Sequence, residues 1–132
     1  MSGRGPDYNF GKSRRLLTSA EYSRVFDRTE AKASHRNLLL LASRNQGPDH
    51  RLGLVIAKKN VRLAAQRNRI KRLAREFFRQ QAQEAPTLDV VLLARRGIDR
   101  LDNADLSSIL QQQWQKLTRH ASNLDRDTGR EN

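Results

Sequence analysis

Residues 58–79 read KKNVRLAAQRNRIKRLAREFFR, and this stretch decides the fold of the chain. The i, i+3, i+4, i+7 spacing of an amphipathic helix is met by four apolar residues, Ile70, Leu73, Ala74 and Phe77. We therefore predict a helix from about Leu63 to Gln83, with Pro86 beyond its end. At about 100° per residue, the opposite face carries Asn68, Arg72, Arg75 and Arg79. Arg67 and Arg69 flank the apolar stripe on its two sides.

The same stretch concentrates positive charge. Nine cations lie between Lys58 and Arg79, against the single acid Glu76. The whole chain has 132 residues, 26 Lys and Arg against 14 Asp and Glu, and a net charge of +12. A merely solubilising role explains this focus poorly, because like charges at helical spacing repel one another. Guanidinium groups donate paired hydrogen bonds to phosphates, so the segment favours a polyanion. A folded RNA is the stronger candidate because no DNA-reading motif accompanies the helix.

Short apolar runs on both sides of the helix predict strands. RLGLVIA at 51–57 and LDVVLLA at 88–94 have the length and composition of buried strands, which could pair in parallel across the helix. Such crossovers are right-handed by default. Four leucines within 35–42 predict another strand, and NQGPD at 45–49 predicts a turn. We therefore expect 35–42 and 51–57 to form a hairpin. Gly53 indicates a bulge or a close backbone approach.

Helices are predicted near both ends of the folded part. Thr18 and Glu21 have the spacing of a capping box, so the first helix should start at Thr18. A last helix is predicted over 105–120, with Asn103 as its cap. The resulting order, α-β-β-α-β-α, indicates a single α+β domain over 13–120. Residues 1–12 and 121–132 are predicted to be flexible tails.

Candidate catalytic and metal-binding groups are few. The chain has no cysteine, its three histidines are scattered, and no glycine-rich phosphate loop is present. Helix capping explains the aspartates at 99, 102 and 105 better than metal binding does. We expect no catalytic residue and no metal site in this chain. No apolar run approaches the roughly 18 residues that cross a bilayer, so we also expect a cytoplasmic protein without a membrane partner.

Tyr22, Val25 and Phe26 share one face of the first helix. The two aromatic residues, Tyr22 and Phe26, either hold the helix onto a sheet or stack on the bases of a single-stranded nucleic acid. Core packing is the more common role, and the spacing alone leaves both open.

These residues together resemble a known family. Lys58-Lys59, followed seven residues later by RNRIKRL at 67–73, is similar to the signature of the bacterial ribonuclease P protein family. Arg51-Leu52-Gly53 before this signature and Ala94-Arg95 after it agree in order, and the resemblance covers about 13–120. Two departures are Tyr22, where phenylalanine is common, and the loop 60–62, which lacks the glycine that many members carry.

The resemblance implies more than the residues show by themselves. It implies an α-β-β-β-α-β-α sandwich similar to the ribosomal protein S5 domain 2-like fold, with one further strand and a left-handed β-α-β crossover. It implies that the basic helix contacts the catalytic RNA subunit through Arg67, Asn68, Arg69, Lys71, Arg72 and Arg75. A cleft beside the first helix would receive the 5′ leader of precursor tRNA through Tyr22, Phe26, Lys58 and Lys59.

The same resemblance assigns the chemistry to the partner. The catalytic RNA, expected in a 1:1 complex, would cleave the precursor with its bound Mg²⁺, and no obligate protein partner is evident. Three competing classes share part of the pattern: a structural RNA-binding protein of the ribosome, a nucleoid-type DNA-binding protein and a self-sufficient nuclease. The missing catalytic groups disfavour the last.

Overall fold

A computed structural model describes residues 14–81 and 86–131, with side chains described up to 123. The helices and strands follow one another as α1 (Ser19–Asp27), β1 (Ala31–Ser34), β2 (Leu38–Arg44), β3 (Arg51–Val55), α2 (Ala64–Arg79), β4 (Leu88–Ala94) and α3 (Asn103–Glu131). A short 3-10 helix, Ile98–Arg100, precedes α3. This is an α+β fold in the order α-β-β-β-α-β-α, as the resemblance implies.

The four strands form one mixed sheet in the order β1-β2-β4-β3. β4 pairs antiparallel with β2 and parallel with β3, so the predicted hairpin between β2 and β3 is wrong. The reason is the composition of β4: six of its seven residues are buried, so this apolar strand takes the centre and separates the two. The parallel pairing across α2 is confirmed. Its implied left-handed sense stays a prediction.

The strand missed by the periodicity argument is β1. Its sequence AKAS is short and only half apolar, with Ala31 and Ala33 buried and Lys32 exposed. β1 forms the true hairpin with β2, pairing Ala31 with Ala42 and Ser34 with Leu39. As a result, β2 is also displaced along the chain from the predicted 35–42.

Helices lie on both faces of the sheet. α2 and α3 cover one face, where the larger core cluster contains Leu38, Val90, Leu92, Ile70 and Leu106. α1 lies on the other face, where Val25 and Leu16 pack on Val91 of β4. Because a single helix of nine residues cannot cover four strands, part of this second face stays open.

The helix ends follow local rules. The capping box at Thr18 is confirmed: the Glu21 backbone N–H donates to Thr18 Oγ1 and the Thr18 N–H donates to Glu21 Oε1. The predicted cap of α3 is wrong, because the Asp105 N–H donates to the carboxylate of Asp102 rather than to Asn103. The negative charge of Asp102 also interacts favourably with the positive N-terminal end of the α3 dipole.

α3 also ends later than the predicted 120. It runs to Glu131, and Ala121 is buried in the core, so packing extends into the predicted tail at 121–132. The flexibility of that segment stays a prediction. The other predicted tail, 1–12, lies outside the described residues.

Candidate nucleic-acid interface

The outer face of α2 carries polar side chains that bind nothing within the described part of the protein. Ile70, Ala74 and Phe78 are buried and turn this helix toward the core. Across residues 14–81 and 86–123, no hydrogen bond or ion pair is made by the side chains of Asn68, Lys71, Arg72 and Arg75. We call these four residues the outer face. It can offer paired donors to phosphates without first breaking a protein contact.

The two arginines that flank the outer face are engaged by their own chain. Arg67 donates from Nη1 to the carbonyl oxygens of Val61 and Arg62, at 2.9 Å each. These contacts tie the start of α2 to the loop that precedes it. Arg67 is thus partly occupied in holding local structure.

Arg69 is bound more extensively. Its Nε donates to Gln66 Oε1 at 2.8 Å, and Nη1 donates to Asn103 Oδ1 at 2.7 Å. Its Nη2 donates to the carbonyl oxygen of Leu101 at 2.9 Å and, more weakly, to that of Asp99 at 3.4 Å. Arg69 therefore joins α2 to the turn that leads into α3. The sequence places it next to the outer face, but only the structure shows that its donors are taken.

The loop between β3 and α2 presents Lys58 and Lys59 to solvent. Val61 is fully buried, and Asn60 Nδ2 donates to the Ala94 carbonyl oxygen at 3.0 Å. Within the described residues a positive φ occurs only at Gly97. The loop at 60–62 therefore forms without the glycine that many members of the resembled family carry there. The loop is therefore anchored, and its two lysines remain exposed.

Tyr22 packs closely on the outer strand β3. The Leu54 N–H donates to the Tyr22 hydroxyl at 3.2 Å, and a Cβ at Gly53 would lie 2.7 Å from Tyr22 Cε2. The close backbone approach predicted at Gly53 is confirmed. The half-buried Tyr22 thus has the packing role that spacing had left open, and it covers an N–H at the free edge of the sheet.

Phe26 differs from Tyr22, because 43% of its surface is exposed. On the same sheet face, Leu39, Leu93 and Val55 lie in register on three neighbouring strands, and Leu93 and Val55 border the cluster beneath α1. All three are half-buried. This row and Phe26 form what we call the open cleft, an apolar surface of the kind on which unpaired bases stack.

A charged cluster that the sequence analysis missed holds α1 over the sheet. Arg51 donates to both carboxylate oxygens of buried Asp89, at 2.8 and 2.7 Å, and to Glu21 Oε2 at 3.0 Å. Asn45 Nδ2 adds a bond to Asp89 Oδ1 at 2.8 Å. The paired hydrogen bonds that Arg51 donates to the Asp89 carboxylate raise the pKa of Arg51. Arg51 and Asp89 are far apart in sequence, so only the register of β3 against β4 could have revealed the pair.

The histidines have separate structural roles. The backbone N–H of Leu88 donates to Nδ1 of buried His50 at 2.9 Å, and that of Lys32 to Nδ1 of His120 at 3.3 Å. In the part of the chain that is described, no three His, Asp or Glu residues are grouped to hold a metal ion. The expected absence of a metal site in this chain stays a prediction.

Comparisons with known proteins decide the family. The sequence model of the family described as Ribonuclease P matches residues 10–118. The ribonuclease P protein component of Marinobacter nauticus is 51% identical over 108 residues, covering 82% of this chain and 81% of that protein. That of Stutzerimonas stutzeri is 42% identical over 123 residues, covering 93% of this chain and 94% of that protein. The chain belongs to the ribonuclease P protein family.

Solved structures of this family share the fold. The Staphylococcus aureus RNase P protein has a TM-score of 0.70 at 25% identity, covering 79% of this chain and 94% of that one. The Thermotoga maritima RNase P protein has a TM-score of 0.66 at 25% identity, covering 74% of this chain and 94% of that one. The family assignment favours neither the ribosomal nor the nucleoid alternative.

Membership in the ribonuclease P protein family sets the general function. It places the chain among RNA-binding proteins of tRNA processing, in an endoribonuclease complex. Within the described residues, no helix combines the length and the apolar character needed to cross a bilayer.

Proposed function

We propose that this protein is a two-surface adaptor in ribonuclease P. One surface binds the catalytic RNA subunit in a 1:1 complex, and the other binds the 5′ leader of precursor tRNA. Together they promote endonucleolytic removal of the leader, which gives the mature tRNA 5′ end. The observation that carries the proposal is the outer face of α2, whose cations have no protein partner in the described structure.

The first surface is the outer face, Asn68, Lys71, Arg72 and Arg75. Three cations on one helical face gain little within the protein and repel one another. Contact with RNA phosphates relieves this repulsion and releases counterions, which drives binding. Arg67 and Arg69 support this surface: Arg67 orders the preceding loop, and Arg69 fixes α2 against the start of α3. Either can add a contact with the donors it has left.

The second surface is the open cleft beside α1. Exposed Phe26 and the half-buried row on the sheet offer stacking to leader bases, while Lys58 and Lys59 follow β3 and offer charge to leader phosphates. Tyr22 contributes by fixing α1 on β3 rather than by stacking with its whole ring. A leader-binding cleft explains why α1 leaves part of this apolar face uncovered.

The chemistry is proposed to belong to the RNA subunit. The described residues contain no carboxylate cluster suited to Mg²⁺, which prefers oxygen ligands in octahedral geometry. Phosphodiester hydrolysis would therefore use Mg²⁺ held mainly by the RNA, and the protein would bind, orient and neutralise. A self-sufficient nuclease would need catalytic groups that these residues do not assemble.

The test is cleavage of a precursor tRNA over a range of Mg²⁺ concentrations, with catalytic RNA alone, with protein alone and with both. We expect the protein to lower the Mg²⁺ concentration at which the RNA cleaves, and to give no cleavage by itself. The variant Arg24→Ala/Arg28→Ala should stimulate cleavage as the unaltered protein does, since Arg24 on α1 and Arg28 at its C-cap have exposed side chains without a protein partner in the described structure. Cleavage by protein freed of RNA would overturn the proposal.

A further inference from the structure

A second concentration of positive charge lies at the end of the sheet, away from α2. The turn between β1 and β2, the end of β4 and the middle of α3 meet there. Arg95 Nη1 donates to Ser34 Oγ at 3.0 Å and to the His35 carbonyl oxygen at 2.7 Å, and Asn37 Nδ2 donates to the Arg96 carbonyl oxygen at 3.2 Å. These bonds fix the turn against the end of β4.

The charge of this region is unbalanced. Residues 31–43, 90–98 and 106–124 contain no Asp or Glu, but they contain six cations, Lys32, Arg36, Arg95, Arg96, Lys116 and Arg119. No ion pair involves any of the six in the described structure. We call Arg36, Arg95, Arg96 and Lys116 the turn patch. A patch of this kind is an electrostatic footprint for a polyanion.

The pKa of His35 reflects the positive charge of the turn patch. This pKa is lowered first by burial and then by three neighbouring cations, Arg36, Lys116 and Arg95. These residues come from the turn, from α3 and from the end of β4, so three separate elements bring positive charge to one point. The fold keeps them together at a cost in mutual repulsion that a bound anion would relieve.

We propose that the turn patch binds phosphates of the precursor leader and extends the open cleft along the end of the sheet. This inference rests on the leader-binding role proposed above. No part of the RNR signature contributes to the patch.

The position of the patch favours the leader over other RNA segments. Ser34 pairs with Leu39, and Leu39 pairs with Leu93, so the Arg95 guanidinium bound to Ser34 borders the apolar row of the open cleft. A strand whose bases lie on this row has its phosphates within reach of the sheet end. Arg36 in the turn and Lys116 on α3, which packs on the opposite face of the sheet, then continue the path around the sheet end and away from α1. Their side chains are exposed and make no described hydrogen bond, which leaves their donors available.

The experiment measures the affinity of the assembled protein–RNA enzyme for fluorescent precursor tRNAs with leaders of increasing length, and for mature tRNA. The variant is Arg36→Ala/Lys116→Ala, with Arg24→Ala/Arg28→Ala as a control of equal charge loss. We expect the first variant to lose affinity several-fold for long leaders only. The slope of log affinity against log salt should fall by about 1.4, since each single-strand phosphate contact contributes roughly 0.7. The control variant should match the unaltered protein.

The outcomes separate this inference from the proposal on which it rests. If the unaltered protein itself gives no leader-dependent gain, the leader role fails as a whole. If that gain is present but the double variant retains it at every length, the turn patch is not part of the path. Equal loss for precursor and mature tRNA, with weaker binding of the catalytic RNA, would assign the patch to that RNA instead. The charge-retaining variant Arg36→Lys/Lys116→Arg should keep the salt slope, and unchanged melting temperatures would exclude misfolding as the cause.

Discussion

Arg69 and Arg72 are the same residue type on the same helix, three positions apart, yet Arg69 binds its own chain whereas Arg72 faces solvent. Arg69 donates four hydrogen bonds to its own chain, including the side chain of Asn103 and the carbonyl oxygen of Leu101. Arg72 is exposed and bonds to nothing within the described residues. Both lie in the signature that identifies the family. The difference teaches that one basic motif combines residues that build a surface with residues that support it.

The largest expected effect is on stability, from Arg69→Ala. The substitution removes four hydrogen bonds and leaves the carbonyl oxygens of Asp99 and Leu101 to find water. We expect a loss of about 2–3 kcal/mol in the free energy of unfolding, whereas Arg72→Ala should change it by less than about 0.5 kcal/mol. Urea unfolding followed by circular dichroism measures both.

Asn103→Ala sharpens this prediction because it removes only one partner of Arg69. Its expected cost is about 1 kcal/mol, and it should be smaller in an Arg69→Ala background. Equal stability of the Arg69→Ala and Arg72→Ala variants would show that the bonds of Arg69 to the α3 side contribute nothing.

The same division between support and surface can be tested on α1. Tyr22→Phe removes the acceptor of the Leu54 N–H and should cost about 1 kcal/mol of stability without changing leader discrimination. Phe26→Ala removes a 43% exposed ring and should cost less, but it should reduce the preference for precursor over mature tRNA. Competition binding with the two tRNAs measures this preference. A stable Phe26→Ala variant with unaltered preference would remove Phe26 from the cleft.

Much of the fold follows from sequence, because local rules decide it. The amphipathic spacing of α2 and the capping box of α1 need only neighbouring residues, and both are confirmed. The hairpin between β2 and β3 was wrong because strand order depends on which strand is most apolar on both faces. Nothing near 38–55 reveals that β4 inserts between them.

Part of the candidate site also follows from local sequence pattern, and the rest depends on tertiary contacts. The helical wheel shows which residues of α2 face outward, but it places Arg69 at the edge without showing that the turn before α3 lies within hydrogen-bond distance. Likewise, the turn patch consists of Arg36, Arg95, Arg96 and Lys116, which are brought together only by the register of β1, β2 and β4 and by the packing of α3 on β1. Tertiary contacts therefore decide which cations are available to a ligand.

The smallest expected effect is on pH dependence and concerns Glu21, an acid that supports α1. Backbone N–H groups of Leu17 and Thr18, and then Arg51, hold the pKa of Glu21 below its ordinary value of 4.5. Its contribution is therefore fully present above pH 4.5 and is lost as the pH falls through the lowered pKa. The stability difference between the unaltered protein and Glu21→Gln should narrow below pH 4.5 in acid unfolding curves. A difference that is constant with pH would contradict this role of the charge.

The most direct test of the division on α2 is the salt dependence of catalytic RNA binding for Arg72→Ala and Arg69→Ala, measured side by side under conditions where both are folded. Arg72→Ala should lower the slope of log affinity against log salt by about 1, the loss of one phosphate contact, while Arg69→Ala leaves the slope nearly unchanged. A reduced slope for Arg69→Ala together with an unaltered slope for Arg72→Ala would contradict the account.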